Sequence, residues 1–261
     1  MMKTSIILLV SLFILEIGVA AYKRILPAQT KVVAHRGYRE DATVPENSMA
    51  SLQKAQELDI YASEFDVWPT SDGVLLVHHD PDIDGKRIYE TPYEQLKDAR
   101  RANGEKIPLL EEYLRQGKKD IKTKLILDFK YPEPEELEDR AIADIIKLVD
   151  ELEMNEQITY IATLNVCKKF LRINPNAEVV HLSMGDIPPS ELKPLGIAGI
   201  DYHFTSMQKN KHWIEEAHKL NMSVNVWTVN DEAVMKEMLD AGVDFITTDK
   251  PLVLKKMINE L

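Results

Sequence analysis

Eight short apolar segments, each followed by a stretch of helical or polar character, run through this chain from Val32 to Asp249. They are VVAHR (32–36), YASEFD (61–66), KLILDF (124–129), ITYIAT (158–163), EVVHLS (178–183), GIDYHF (199–204), SVNVWTV (223–229) and DFITTD (244–249). Between them Leu137, Ala141, Ile145, Leu148 and Leu152 fall at helical spacing, as do Trp213, Ala217 and Leu220, and Val234 with Met238. Near-continuous apolar strands divided by helices are parallel strands buried on both faces. Eight such units in 261 residues predict an α/β protein of the TIM barrel type, which typically takes about 250 residues. A doubly wound open sheet is the alternative. It would usually carry a Gly-rich phosphate fingerprint after its first strand, and the sequence has none there.

One apolar segment falls outside this count. Asp72-Gly73, followed by Val74, Leu75, Leu76 and Val77, is a strong hairpin signal. A two-residue turn pairs Ser71 with Val74 and sets Asp66 opposite His79, on the face that Asp66 shares with Glu64. A three-residue loop would put His78 there instead. Residues from about 81 to 107 then break the rhythm: they are polar, contain Pro81, Asp84-Gly85, Pro92 and Gly104, and read as an insertion over one mouth of the barrel.

The N-terminus is a separate object. Lys3, an apolar run from Ile6 to Leu15 and Gly18-Val19-Ala20 read as a secretory signal peptide over residues 1–21, with cleavage after Ala20. The alternative is an uncleaved N-terminal anchor, although the run is short of the ~20 apolar residues of a bilayer span and Glu16 interrupts it. Either way the body from Lys31 to Leu261 is expected to be exported, periplasmic or secreted, or held at the membrane by that segment. The formal net charge of −11 argues against a nucleic-acid partner. Cys167 is alone, which excludes an intrachain disulfide framework and a cysteine zinc site.

Chemistry in such a barrel collects at the C-terminal ends of the strands. Those ends carry His35 and Arg36, Glu64 and Asp66, Asp128 and Lys130, and Trp227 with Asn230. An isolated E-x-D is more often a solvated strand face. Two inward carboxylates on a buried stave, however, need a partner. Three carboxylates suit a hard divalent cation, Ca²⁺ or Mg²⁺, better than zinc. Two histidines beside such a cluster can serve as base and acid near neutral pH. Arg36 offers a fork for phosphate oxygens. Lys130 could instead pair with Asp128, and Trp227 could be core or a pocket wall. Thr43 to Ser48 reads as the opening of the first helix, with Pro45 and Glu46 in its first turn, and Thr248-Asp249-Lys250-Pro251 as the cap of the last.

Taken in order, AHRG (34–37), PENS (45–48), EFDV (64–67), TSDG (70–73), HHDP (78–81), LILDFK (125–130), VWTVN (226–230) and TDKP (248–251) resemble the glycerophosphodiester phosphodiesterase family from Val32 to Pro251. The resemblance implies a TIM barrel with a small insertion and metal-dependent hydrolysis of a small-molecule glycerophosphodiester to glycerol 3-phosphate and an alcohol. It implies His35 and His79 as the catalytic pair, with Glu64 and Asp66 as metal ligands. It further implies phosphate contacts from Arg36 and Lys130, and Trp227 beside the substrate. Asp128 stands where the family usually has a Glu, one methylene longer, as third ligand. A lysophospholipid or sphingolipid phosphodiesterase ending at a cyclic phosphate, and a barrel that binds phosphodiesters without cleaving them, are the alternatives.

Overall fold

Strands that are apolar on both faces can only be buried between two layers, and here one layer is the barrel interior and the other a ring of helices. The computed structural model describes residues 29–260, so the expected signal or anchor segment, residues 1–21, lies outside the described residues. The staves are β1 (Lys31–Ala34), β2 (Ala62–Pro69), β6 (Lys124–Phe129), β7 (Ile158–Ala162), β8 (Val179–Ser183), β9 (Gly199–His203), β10 (Ser223–Trp227) and β11 (Phe245–Thr248). All pair in parallel, in the order β1-β11-β10-β9-β8-β7-β6-β2. The Val33↔Ala62 and Ala34↔Ser63 pairings then join β1 to β2 and close the cylinder. This is the expected TIM barrel, and closure rules out the open doubly wound sheet.

The helices α1 (Met49–Glu57), α2 (Leu110–Gly117), α3 (Glu135–Glu151), α4 (Leu164–Ile173), α5 (Pro189–Leu192), α6 (Phe204–Lys209), α7 (His212–Lys219), α8 (Glu232–Ala241) and α9 (Pro251–Asn259) connect the staves. Their apolar stripes are the ones the periodicity marks: Leu137, Ala141 and Ile145 are buried on α3, Ala217 on α7 and Met238 on α8. Outward side chains such as Phe65, Leu127, Tyr160 and Tyr202 meet them in one continuous core. Inward, Val33, Ala62, Ile126, Ile161 and Val180 form an apolar layer. Side chains alternate every two residues, so Glu64, Asp66, Asp128 and Leu182 follow that layer toward the C-terminal mouth.

The hairpin departs from expectation. β3 (Leu75–Val77) runs antiparallel to β2 with Val67↔Val77, Trp68↔Leu76 and Pro69↔Leu75 paired, which places Asp66 opposite His78. The loop has three residues, Ser71 to Gly73. It is closed by Thr70 N–H to Val74 O at 2.8 Å and Gly73 N–H to Thr70 O at 2.9 Å, with Gly73 left-handed at φ +90°. Asp72, at the centre of this loop, accepts from the Thr70 hydroxyl and from the Tyr93 N–H at 3.0 Å.

Residues 78–109 leave the barrel between β3 and α2. They contain a two-stranded ribbon, β4 (Asp82–Ile83) with β5 (Lys86–Arg87). Ile83, Ile88, Tyr89, Leu96 and Ile107 bury themselves against Trp68, Leu76 and Leu137 in a second, smaller core. Their irregular spacing hides this core among polar neighbours.

Candidate active site

Glu64 and Asp66 project from β2 and Asp128 from β6, where Asp66 and Asp128 are directly paired across the ladder. All three are buried, and one carboxylate oxygen of each lies within 4.8 Å of the others. Two unit charges at that separation repel by roughly 3–4 kcal/mol at an effective dielectric of ~20. Burial together with Asp66 and Asp128 pushes Glu64 well above the usual carboxylate range, and burial raises Asp128 as well. For Asp66 burial is outweighed by Lys130, His79 and Asn47, and its pKa is lowered. Lys130 Nζ stands 2.8 Å from Asp66 Oδ1 and also pairs with Asp128. The three side chains offer only oxygen donors, close together and buried, which suit a hard divalent cation. The residues fit such an ion, and the shorter Asp128 still reaches the cluster.

The loop after β1 builds the opposite side. Arg36 (φ 57°) and Gly37 (φ +80°) are both left-handed, which costs roughly 1 kcal/mol or more at the arginine. A Cβ on Gly37 would stand 2.4 Å from Ser51 Oγ, so only glycine fits. The turn aims the Arg36 N–H at Glu64 Oε2, 2.8 Å away, and sends the guanidinium to Glu46 at 2.9 Å and within 3.7 Å of Asp66. Glu46 and Pro45 precede α1, which starts at Met49 behind a Ser48–Ser51 capping box. The helix-opening role expected of them is therefore Ser48's.

Both histidines line the cavity at this mouth. His35 Nδ1 lies 2.7 Å from Asp249 Oδ1, and Asp249 in turn accepts from Asn230 Nδ2 at 2.7 Å. Burial opposes the charge on Asp249, but His35, Asn230 and Arg39 together hold its pKa at about 2. Asp249 thus serves His35 and does not cap α9, whose N-cap Lys250 makes no side-chain capping bond. His79 Nδ1 lies 2.8 Å from Asp80 Oδ1. In each ring a carboxylate at Nδ1 favours the tautomer with Nε2 unprotonated. His79 reaches the cavity despite the register because β3 ends at Val77. Trp68 Nε1–H then donates to His79 O at 2.9 Å, while His78, largely buried, points elsewhere and is absent from the lining.

The cavity measures about 550 Å³ and brings together eight of the residues singled out from the sequence, His35, Arg36, Glu64, Asp66, His79, Asp128, Lys130 and Trp227, but not Asn230. Trp227 stands on the far wall with its indole N–H on Asp201 O at 2.9 Å. Of the two residues beside the end of β9, Tyr202 faces the outer core, and His203 packs edge-on against Trp227 with ring centres 5.3 Å apart.

The sequence profile of the Glycerophosphoryl diester phosphodiesterase family matches residues 35–253. The chain belongs to this family. It is accordingly a phosphoric diester hydrolase. A glycerophosphodiester phosphodiesterase of Caldanaerobacter subterraneus subsp. tengcongensis is 29% identical over 89% of this chain and 99% of its own length. The crystal structure of a glycerophosphodiester phosphodiesterase from Parabacteroides distasonis is 42% identical, covers 89% of this chain and 98% of that one, and superposes with a TM-score of 0.86. An Oleispira antarctica phosphodiesterase, solved with the product sn-glycerol-3-phosphate, shares the fold at 24% identity and a TM-score of 0.76, over 88% of this chain and 97% of that one.

Around the glycerophosphodiester phosphodiesterase site, two supports escape sequence reasoning. Asn47, inside PENS, donates from Nδ2 to Asp66 Oδ2 at 2.7 Å and accepts the Asp66 N–H at 3.0 Å, clamping that carboxylate. Asp201, on β9, is a fourth buried carboxyl at the cavity floor, bonded by Asn225 at 2.8 Å and pushed well up by burial. An Asn directly before a Ser N-cap is a signal for a left-handed residue, and Asn47 has φ 51°. For Asp201 the only sequence signal is an acid inside an apolar stave.

Proposed function

We propose that the chain hydrolyses glycerophosphodiesters to glycerol 3-phosphate and an alcohol, with His35 and His79 as a general acid/base pair. A divalent cation, Ca²⁺ or Mg²⁺, held by Glu64, Asp66 and Asp128 would supply Lewis acidity toward a phosphate oxygen and a neighbouring hydroxyl. One imidazole removes the proton of the glycerol hydroxyl as its oxygen attacks phosphorus, and the other protonates the departing alcohol. Water then opens the cyclic phosphate with the two roles exchanged. Arg36 and Lys130 offer positive charge to the phosphoryl oxygens as negative charge grows there. Trp227 walls the substrate on the opposite side. Export of the chain is proposed from residues 1–21 alone.

The observation that carries this reading is the sharing of one cavity by two carboxylate-bound histidines and a cluster of three acidic side chains. Neither half would be conclusive by itself. With metal supplied and glycerophosphocholine as substrate, His35→Ala and His79→Ala should each lose roughly 10²–10⁴ in kcat. Full turnover by either variant would remove that histidine from the mechanism.

A further inference from the structure

The end of the barrel opposite the catalytic mouth has a chemistry of its own. The chain enters there: Thr30 Oγ1 donates to Val243 O at 2.7 Å, the Lys31 N–H to Asp244 O at 2.9 Å, and β1 begins. The turn between α2 and β6 lies at the same end, and β2 alone stands between β1 and β6 in the sheet. Residues 115–124, RQGKKDIKTK, hold five cations against one carboxylate, in a chain of net charge −11. Within this turn Ile121 is 71% exposed, beside the exposed Lys118, Lys119 and Lys122. That exposure is built in. The buried Gln157 side chain donates from Nε2 to Gly117 O at 2.9 Å, Asp120 O at 3.1 Å and Thr123 O at 2.9 Å. Asp120 Oδ1 accepts the Lys122 N–H at 3.1 Å, and Thr123 Oγ1 donates to Ile60 O at 3.2 Å. The backbone is clamped on both sides of Ile121, which is thereby held away from the core.

We propose that the α2–β6 turn docks on an anionic phospholipid surface and so leaves the catalytic mouth facing water. This does not rest on the hydrolytic reading. Anionic head groups meet the ammonium groups, and the isoleucine enters the apolar side of the interface. Opposing charge lies to one side: Glu153 stands 3.7 Å from Lys118, and Glu156 follows it before β7. Contact therefore falls on the β2 side of the turn, nearest the point where the chain enters. Residues 1–28 precede that point and include the apolar run from Ile6 to Leu15. A chain kept at a bilayer by that run brings this end of the barrel to the lipid, and a protein partner would need a wider apolar patch than one isoleucine ringed by lysines.

The test places an environment-sensitive fluorophore on the full chain, at Lys122→Cys in the turn or at Met184→Cys on the rim of the catalytic mouth. Cys167 is buried, so the introduced thiol takes the label. Each labelled protein is mixed with vesicles of phosphatidylglycerol in phosphatidylcholine, and with vesicles of phosphatidylcholine alone. The label at 122 should shift to the blue on the anionic vesicles only and lose that shift at high salt. The label at 184 should stay in water on both. Ile121→Ser with Lys118→Gln and Lys119→Gln should abolish the shift at 122. These three side chains are exposed, so the triple variant should melt within a few degrees of the parent. Silence at 122, a shift at 184, an equal shift at 122 on neutral vesicles, or a shift that survives the triple variant would each overturn the inference. A shift evoked by soluble polyglutamate and not by vesicles would give the turn to an acidic protein partner and overturn it as well.

Discussion

Glu64 shows how a single side chain can be kept at a cost to the fold. It is 4% exposed, its ionised form faces two other carboxylates, and its named donor is the Arg36 backbone N–H. A carboxyl whose pKa is raised in the folded state penalises that state once the pH climbs past the ordinary carboxylate range. Glu64→Gln, which keeps an acceptor for Arg36, should therefore raise the melting temperature of the chelator-treated protein at pH 7, by about 2–4 °C per kcal/mol relieved. The same variant should lose most of the upward shift that added Ca²⁺ or Mg²⁺ gives the parent. Asp249 has the opposite sign. Its pKa, held at about 2 against an ordinary 3.8, contributes stability above that ordinary value, and the contribution fades as the pH falls toward 2. It amounts to at most about 2.5 kcal/mol before solvent screening, and less at this partly exposed site. Asp249→Asn should remove it at pH 7, with parent and variant melts converging near pH 2. The variant should also lose roughly 10²–10⁴ in kcat, because an amide no longer selects the His35 tautomer.

At the scale of elements, the β2–β3 hairpin and the insertion behind it decide where His79 stands. Three hydrogen bonds to backbone carbonyls fix the exit from β3: Asp66 O accepts from His78 N–H at 3.0 Å, Val77 O from Arg101 Nη2 at 2.7 Å, and His79 O from Trp68 Nε1 at 2.9 Å. Trp68→Phe keeps most of the ring's burial in the small core and removes the last of these. It should lower kcat on glycerophosphocholine by about tenfold or more with a melting temperature within a few degrees of the parent; unchanged kcat would show that His79 is held without it. The hairpin itself was legible from Asp-Gly, but its register was not. The three-residue loop is held in part by Tyr93, a residue of the insertion whose N–H binds Asp72 from twenty-one positions away. His79 reaches the cavity because the strand stops at Val77, and not because it opposes Asp66.

Across the whole molecule, legibility follows the range of the interaction. Eight apolar segments with helical stretches between them are local patterns, and the closed barrel follows from them. The two-residue alternation that puts Glu64 and Asp66 on one face is equally local, and β6 brings Asp128 beside them. The supports are different. Asn47 and Asp249 read locally as helix-entry residues, yet their side chains are taken by Asp66 and His35 on or beside the adjoining stave. Such partners exist only once the cylinder has closed. The insertion's core was hidden for the same reason, since Ile83, Ile88 and Leu96 find their apolar partners on Trp68 and Leu76 of the barrel hairpin. Closure also gathers, in one cavity, charges that would repel in isolation, and it is this assembled mouth that the proposed reaction requires. Phosphorus NMR of glycerophosphocholine incubated with the full chain follows that requirement directly, with Ca²⁺ or Mg²⁺ and then with excess chelator. The account predicts accumulation of glycerol 3-phosphate that stops on chelation; a cyclic phosphate as the final product, turnover indifferent to chelator, or binding without any product would contradict it.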